Sequence, residues 1–212
     1  MRRLAIGIFA EGPTDIDFLS PVARRIAIAF LTGRHHPAEI AEPYGLPGRP
    51  QTDLFRDTIQ RHATLDIVIV HTDGGGDPSR ARRERISRWF SSVSGEHQPG
   101  WPVLGAAVPV HEIEAWMIWD LSAIRRALGT RRSQAELGLP QTPQEVEANQ
   151  DPKLVLRTMH EIAIGKRRAR KLGQTDLYRS FGSEVDSQTL ARLPAFRQFR
   201  DDFHRAIESR GF

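Results

Sequence analysis

The chain contains no cysteine among its 212 residues, which excludes both a disulfide framework and a thiolate metal site. It also lacks any apolar run approaching the ~18 residues needed to span a bilayer. The longest candidate, Val22 to Leu31, is interrupted by Arg24 and Arg25. Arg2 and Arg3 precede an apolar run, but no small-residue cleavage site follows it, so no secretory signal is expected. These absences predict a cytoplasmic protein that makes no use of a membrane. Lysine is scarce too: three of the 30 basic residues are lysine and the rest arginine. No internal repeat or low-complexity tract is evident.

What is present describes a globular protein, with 39% hydrophobic and 26% charged residues. The net charge of +4 comes largely from two clusters. One runs from Arg80 through Arg82, Arg83 and Arg85 to Arg88, and the other covers Lys166, Arg167, Arg168, Arg170 and Lys171. Such clusters attract polyanions by counterion release, and they also occur as plain solvated helix faces. Charge alone leaves both readings open.

Three short apolar runs each end in acid: Leu4–Ala10 before Glu11 and Asp15, Ile67–Thr72 before Asp73 and Asp77, and Val103–His111 before Glu112 and Glu114. Unbroken apolar runs of this length are the habit of parallel strands buried on both faces. Ligands of such sheets sit at the carboxyl ends of the strands, so all three acidic patches should meet at one edge. Helices are expected from Thr14 as N-cap, from Gln51 to His62, from Pro78 to Val93 and from Ile113 to Leu128. A short strand is expected over Ala38–Ala41, and His35 and His36 should lie on the surface. Ser94 to Pro102 reads as a turn-rich link.

The alternation of strand and helix predicts an α/β protein with a mainly parallel sheet flanked by helices. After Leu128 the strand signal stops. Helices are expected over Asp151–Ile164, Ser187–Leu193 and Pro194–Glu208. The division is therefore an α/β domain over 1–128 and a helical C-terminal region over 129–212.

Carboxylates gathered at one edge repel one another, by about 1 kcal/mol per pair at ~4 Å in water and about 4 at an effective dielectric of 20. Raised carboxylate pKa values or a divalent cation resolve this. Oxygen donors without thiolates favour Mg²⁺ or Mn²⁺ and hydrolysis of a phosphodiester. Gly74-Gly75-Gly76 supplies either positive φ for a tight turn or a backbone cradle for phosphate. Trp116 and Trp119 are expected to pack against the sheet.

Glu11-Gly12-x-Thr14-Asp15 after a strand, with Phe18-Leu19 in the next helix, resembles the first motif of toprim domains. That module is shared by topoisomerases, primases and overcoming-lysogenization-defect nucleases. Asp73 after the next strand is similar to the second, Asp-x-Asp, motif. His111-Glu112-x-Glu114-Ala115-Trp116, Asp151-Pro152-Lys153 and Pro194-Ala195-Phe196 resemble a family of small toprim-like proteins of unknown function. The resemblance implies a toprim-like Rossmannoid fold with a C-terminal helical subdomain. It implies a Mg²⁺- or Mn²⁺-dependent nuclease acting on DNA or RNA, working with a partner ATPase in prokaryotic defence. Glu11 would be metal ligand or general base, and Asp73 the principal ligand, with Asp77, Glu112 and Glu114 as further candidates. Of the two glutamates only one should face the metal, since on a helical turn they point apart. Arg80, Arg82, Arg83, Lys153, Lys166, Arg167 and Arg168 would meet the nucleic-acid backbone. At His71 the chain departs from the pattern, which has an acid two residues before Asp73.

Two further functions stay open. His71, Asp73, His111 and Glu114 form a donor set suited to Zn²⁺ with an open water position, as in a zinc hydrolase. A toprim scaffold lacking its second acid can also serve as a non-catalytic module that binds nucleic acid or a partner. Oligomeric state is not encoded in any of these signals.

Overall fold

A computed structural model describes residues 2–34, 38–94 and 101–212. His35 and His36 lie outside the described residues, as does most of the link from Ser94 to Pro102. The protein is a mixed α/β structure, 56% helical, whose parallel sheets are flanked by helices.

The first apolar run divides at Ala5. β1 (Arg2–Leu4) pairs in parallel with β3 (Ala38–Ile40), while β2 (Ile6–Phe9) enters a separate sheet. That sheet has four parallel strands in the order β4 (Tyr44–Gly45), β2, β5 (Ile67–His71), β6 (Val103–Ala107). Every residue of β2 and β5 is buried. Alternation along the strands divides them between two cores, as a period of two requires. Ile6, Ile8, Ile67 and Ile69 belong to one core, and Phe9, Val68 and Val70 to the other.

On the first face lie α1 (Pro13–Gly33), α10 (Gln174–Glu184) and α12 (Pro194–Ser209). An aromatic ladder forms their centre: Trp116 stacks on Phe199 at 5.7 Å and meets Phe196 edge-on at 5.0 Å, and Phe203 follows. Gly182 marks the closest approach of α10 to α1, where an added Cβ would overlap the Phe18 carbonyl oxygen. On the second face α2 (Thr52–Arg61) brings Phe55 between Phe9 and Trp89. Trp89 belongs to a helical stretch composed of α3 (Pro78–Ala81), a π-helical turn over Arg82–Ile86, and α4 (Ser87–Ser94).

Several boundaries differ from expectation. α1 starts at Pro13, with Gly12 as N-cap, because proline at the first helical position suits a site whose N–H would have no partner. β6 stops at Ala107, short of His111; Pro109 cannot donate to a ladder. The helix expected over Ile113–Leu128 breaks into α5 (Glu114–Met117) and α6 (Leu121–Leu128). The break falls at buried Asp120, whose carboxylate caps Ala123 N–H at 3.0 Å and accepts from Asp186 N–H at 2.9 Å.

Beyond Leu128 the described residues form helices only. They are α7 (Pro143–Ala148), α8 (Pro152–Ile164), α9 (Lys166–Ala169), α10, α11 (Ser187–Leu190) and α12. Of these, α7, α9 and α10 were not anticipated. Leu128 marks a change of secondary structure and not of core, since Phe181, Phe199 and Phe203 share one cluster with Ile6 and Ile8. Among the described residues no helix is long and apolar enough to cross a membrane.

Candidate active site

β2 and β5 are neighbours with Phe9 opposite Val70, so the segments that follow them emerge side by side. The connection after β2 leads to β4 on one side, and α2 then returns the chain to β5 on the other. Glu11 and Asp73 therefore flank the topological switch point, where α/β sheets open a crevice.

Six side chains meet there: Glu11, Asp15, His71, Thr72, Asp73 and Arg85. Glu11 Oε1 accepts from the Thr72 hydroxyl and lies 3.4 Å from Arg85 Nη1. Arg85 also donates through Nη2 to the backbone carbonyl of Asp73. His71 is fully buried, with Nδ1 3.0 Å from the Ala107 carbonyl oxygen. A carbonyl can only accept, which assigns the hydrogen to Nδ1. His71 Nε2 has no hydrogen-bond partner, and stands 3.6 Å from both Asp15 Oδ2 and Asp73 Oδ1. Asp15 is held in place because the same oxygen accepts the Gly12 N–H at 2.9 Å.

Burial pushes the Asp73 carboxyl up to about 6; the Glu11 and Asp15 charges add to this, while His71 and Lys153 oppose it. A carboxylate so placed gains from any positive charge that comes near it.

Beside this cluster is a second one. Glu112 Oε1 lies 2.9 Å from Lys153 Nζ, and Glu114 Oε1 lies 3.7 Å from the same nitrogen. The two glutamates thus converge on one cation and do not point apart, because Glu112 precedes α5 and lacks its helical geometry. Glu114 is buried and also accepts from the Tyr178 hydroxyl. Burial raises the Glu114 pKa against that hydrogen bond, and raises that of Tyr178 further through its acidic partner. Burial pulls the Lys153 ammonium down, but Glu112, Glu114 and Asp73 outweigh it and raise its pKa.

The glycines between the clusters are structural. Gly74 N–H donates to the His111 carbonyl at 3.1 Å and Gly76 N–H to the Val110 carbonyl at 2.8 Å. These amides are spent on the neighbouring loop, which corrects the phosphate-cradle expectation in favour of the tight turn. Gly75 and Gly76 have φ of 58° and 89°, and a Cβ on Gly74 would overlap the Pro109 and Val110 oxygens. Asp77 is exposed and caps α3 through the Arg80 N–H at 2.8 Å, so its carboxylate is occupied away from Asp73.

The donors fit a hard cation in kind: carboxylate oxygens from Glu11, Asp15 and Asp73, with an unpartnered imidazole nitrogen among them. They are not preassembled, since no group of three or more His, Asp or Glu among the described residues is arranged to hold a metal ion. Mg²⁺ commonly uses only one or two protein carboxylates and keeps its waters, so a looser arrangement suits it. The zinc set fits less well. No hydrogen bond or ion pair among the described residues joins His111 or Glu114 to His71 or Asp73, and Glu114 is engaged by Tyr178 and Lys153.

The basic candidates differ in availability. Arg82 is tied inward, 2.9 Å from Asp202 and 3.2 Å from the Ala106 carbonyl, so it braces α12 against β6. Arg80 sits 4.0 Å from Glu84. Arg83, Lys166, Arg167 and Arg168 are exposed. Arg85, Thr72 and Tyr178 reach the site without a sequence signal. Arg85 lies within the π-helical turn, whose extra residue re-aims side chains in a way that 3.6-residue periodicity does not predict.

Comparison of the chain with protein-family models, with curated proteins and with solved structures returns no match.

Proposed function

We propose that the protein is a Mg²⁺- or Mn²⁺-dependent phosphodiester hydrolase of toprim type, acting on DNA or RNA. The observation that supports this best is the buried His71 Nε2, unpartnered between two carboxylates at the sheet's switch point. Glu11 and Asp15 both raise the cost of charging Asp73, and a cation beside Glu11 and Asp73 would offset that repulsion. When bound, such a cation supplies charge that polarises a phosphate and lowers the pKa of water. His71, fixed through Nδ1 by Ala107, places its Nε2 between Asp73 and Asp15. Arg85 holds Glu11 against Thr72 and is placed to exchange that contact for a phosphate oxygen. Lys153 stands beside Asp73 as a second positive charge, anchored by Glu112 and Glu114. The exposed residues Arg83, Lys166, Arg167 and Arg168 attract the polyanion without reading sequence. The resemblance to small toprim-like proteins extends the proposal to an effector controlled by a partner ATPase.

A binding module is the second reading, favoured by Arg85, which already neutralises Glu11. The test is incubation of supercoiled plasmid and single-stranded RNA with protein and Mg²⁺ or Mn²⁺, alongside Glu11→Ala. Metal-dependent cleavage lost in the variant supports hydrolysis. Binding without cleavage in either protein supports the module.

A further inference from the structure

A cavity of about 450 Å³ opens between α8, α9 and α10, adjoining the second acidic cluster through Lys153 and Tyr178. Five large hydrophobic residues are exposed among the described residues, and two of them, Leu154 and Leu172, line this one cavity. Arg157 and Arg170 stand beside them, and neither has a side-chain hydrogen bond or ion pair among the described residues. Two acids also line the cavity. Asp151 is engaged in capping Leu154 N–H at 2.8 Å, and Glu161 is half-buried. The chain from 166 to 171 adds five basic residues and no acidic one at the cavity's edge.

Exposed leucines next to unpartnered arginines form a surface with two requirements: an apolar face to cover and anionic oxygens to neutralise. A planar base with its phosphate meets both, and the volume lies within the range of small-ligand pockets. A base still stacked in a duplex cannot enter such a recess, whereas single strands present their bases splayed out. We infer that this cavity receives one unstacked nucleotide of a single-stranded nucleic acid, with its base against Leu154 and Leu172 and its phosphate on Arg157 and Arg170. Lys153, shared by the cavity and the acid cluster, then sets the neighbouring phosphate toward Asp73. The inference rests on the hydrolase reading for its substrate, but binding is measurable without cleavage.

The experiment is calorimetric titration of the full chain, without divalent ions, by 5′-AMP and 5′-UMP, by ten-nucleotide single strands, and by a duplex of equal length. Mononucleotides should bind below about 1 mM, single strands should bind more tightly than they do, and the duplex more weakly than the single strand. Arg157→Ala with Arg170→Ala, and separately Leu172→Asp, should each weaken single-strand binding about tenfold or more while leaving the melting temperature within a few degrees. Leu172 is exposed, so its replacement leaves the core intact. Mononucleotides that fail to bind, a duplex that out-competes the single strand, or variants that bind unchanged would overturn the pocket. Intact nucleotide binding with no metal-dependent cleavage would overturn the hydrolase reading and leave the pocket standing.

Discussion

The two acidic clusters at the sheet edge lie side by side and are stabilised in opposite ways. Around Glu112 and Glu114 the protein supplies its own counter-charge and donor, Lys153 and Tyr178. Around Asp15 and Asp73 it supplies a buried imidazole nitrogen with no hydrogen-bond partner. The first is a closed set of interactions; the second is open. An interior polar atom without a partner costs about 1–3 kcal/mol, a cost that folding alone would remove and that a ligand can recover. On the proposed reading, the open cluster around Glu11 and Asp73 is where a cation would bind, with the lysine cluster beside it.

The contrast can be broken most severely at the open cluster. Glu11→Gln or Asp73→Asn should lower metal-dependent plasmid nicking by about a hundredfold or more, measured under saturating Mn²⁺. Lys153→Met tests the closed cluster. It leaves Glu114 buried beside Glu112 and should cost about 1–2 kcal/mol in urea unfolding at pH 7, less than the ~3–5 kcal/mol of a fully buried pair because the lysine side chain is 56% exposed. Adding Glu112→Gln should restore part of that loss in a double-mutant cycle.

Asp73 provides a smaller effect of opposite sign. Its folded pKa of about 6 lies above the ordinary aspartate value of 3.8, so the folded protein binds more protons between those limits. Stability should therefore fall as pH rises from about 4 to 6 in the absence of divalent ions. Asp73→Asn should remove the Asp73 part of that slope, leaving the part due to Glu114, and raise stability at pH 7 by about 1 kcal/mol, a figure discounted for the solvent exposure of the group. Urea unfolding at pH 4, 5, 6 and 7 measures both. The smallest effect belongs to the periphery. Arg83→Ala should weaken nucleic-acid binding about two- to threefold and reduce the salt slope by about one, as read from filter binding across salt concentrations.

Legibility followed the range of the interactions. Parallel strands over Ile67–His71 and the first apolar run were legible because residues buried on both faces leave no polar interruption. The meeting of Glu11 and Asp73 was legible for the same reason, since strand ends of a parallel sheet share an edge. Asp120 was not, because its capping role depends on Asp186, distant in sequence. Nor was the convergence of Glu112 and Glu114, which needs the loop that begins where β6 stops at Ala107. The arginine clusters looked alike as sequence, yet Arg82 folds inward onto Asp202 while Arg83 stays in solvent. Nothing in a run of like charges distinguishes these fates.

The most direct measurement is Mn²⁺ titration followed by electron paramagnetic resonance, comparing the protein with its Asp73→Asn and Glu11→Gln variants. One bound Mn²⁺ per chain, with nitrogen hyperfine coupling from His71 and loss of binding in both variants, is the expected result. Free Mn²⁺ signal undiminished at millimolar metal, or binding equal in all three proteins, would contradict a cation held between these strand ends.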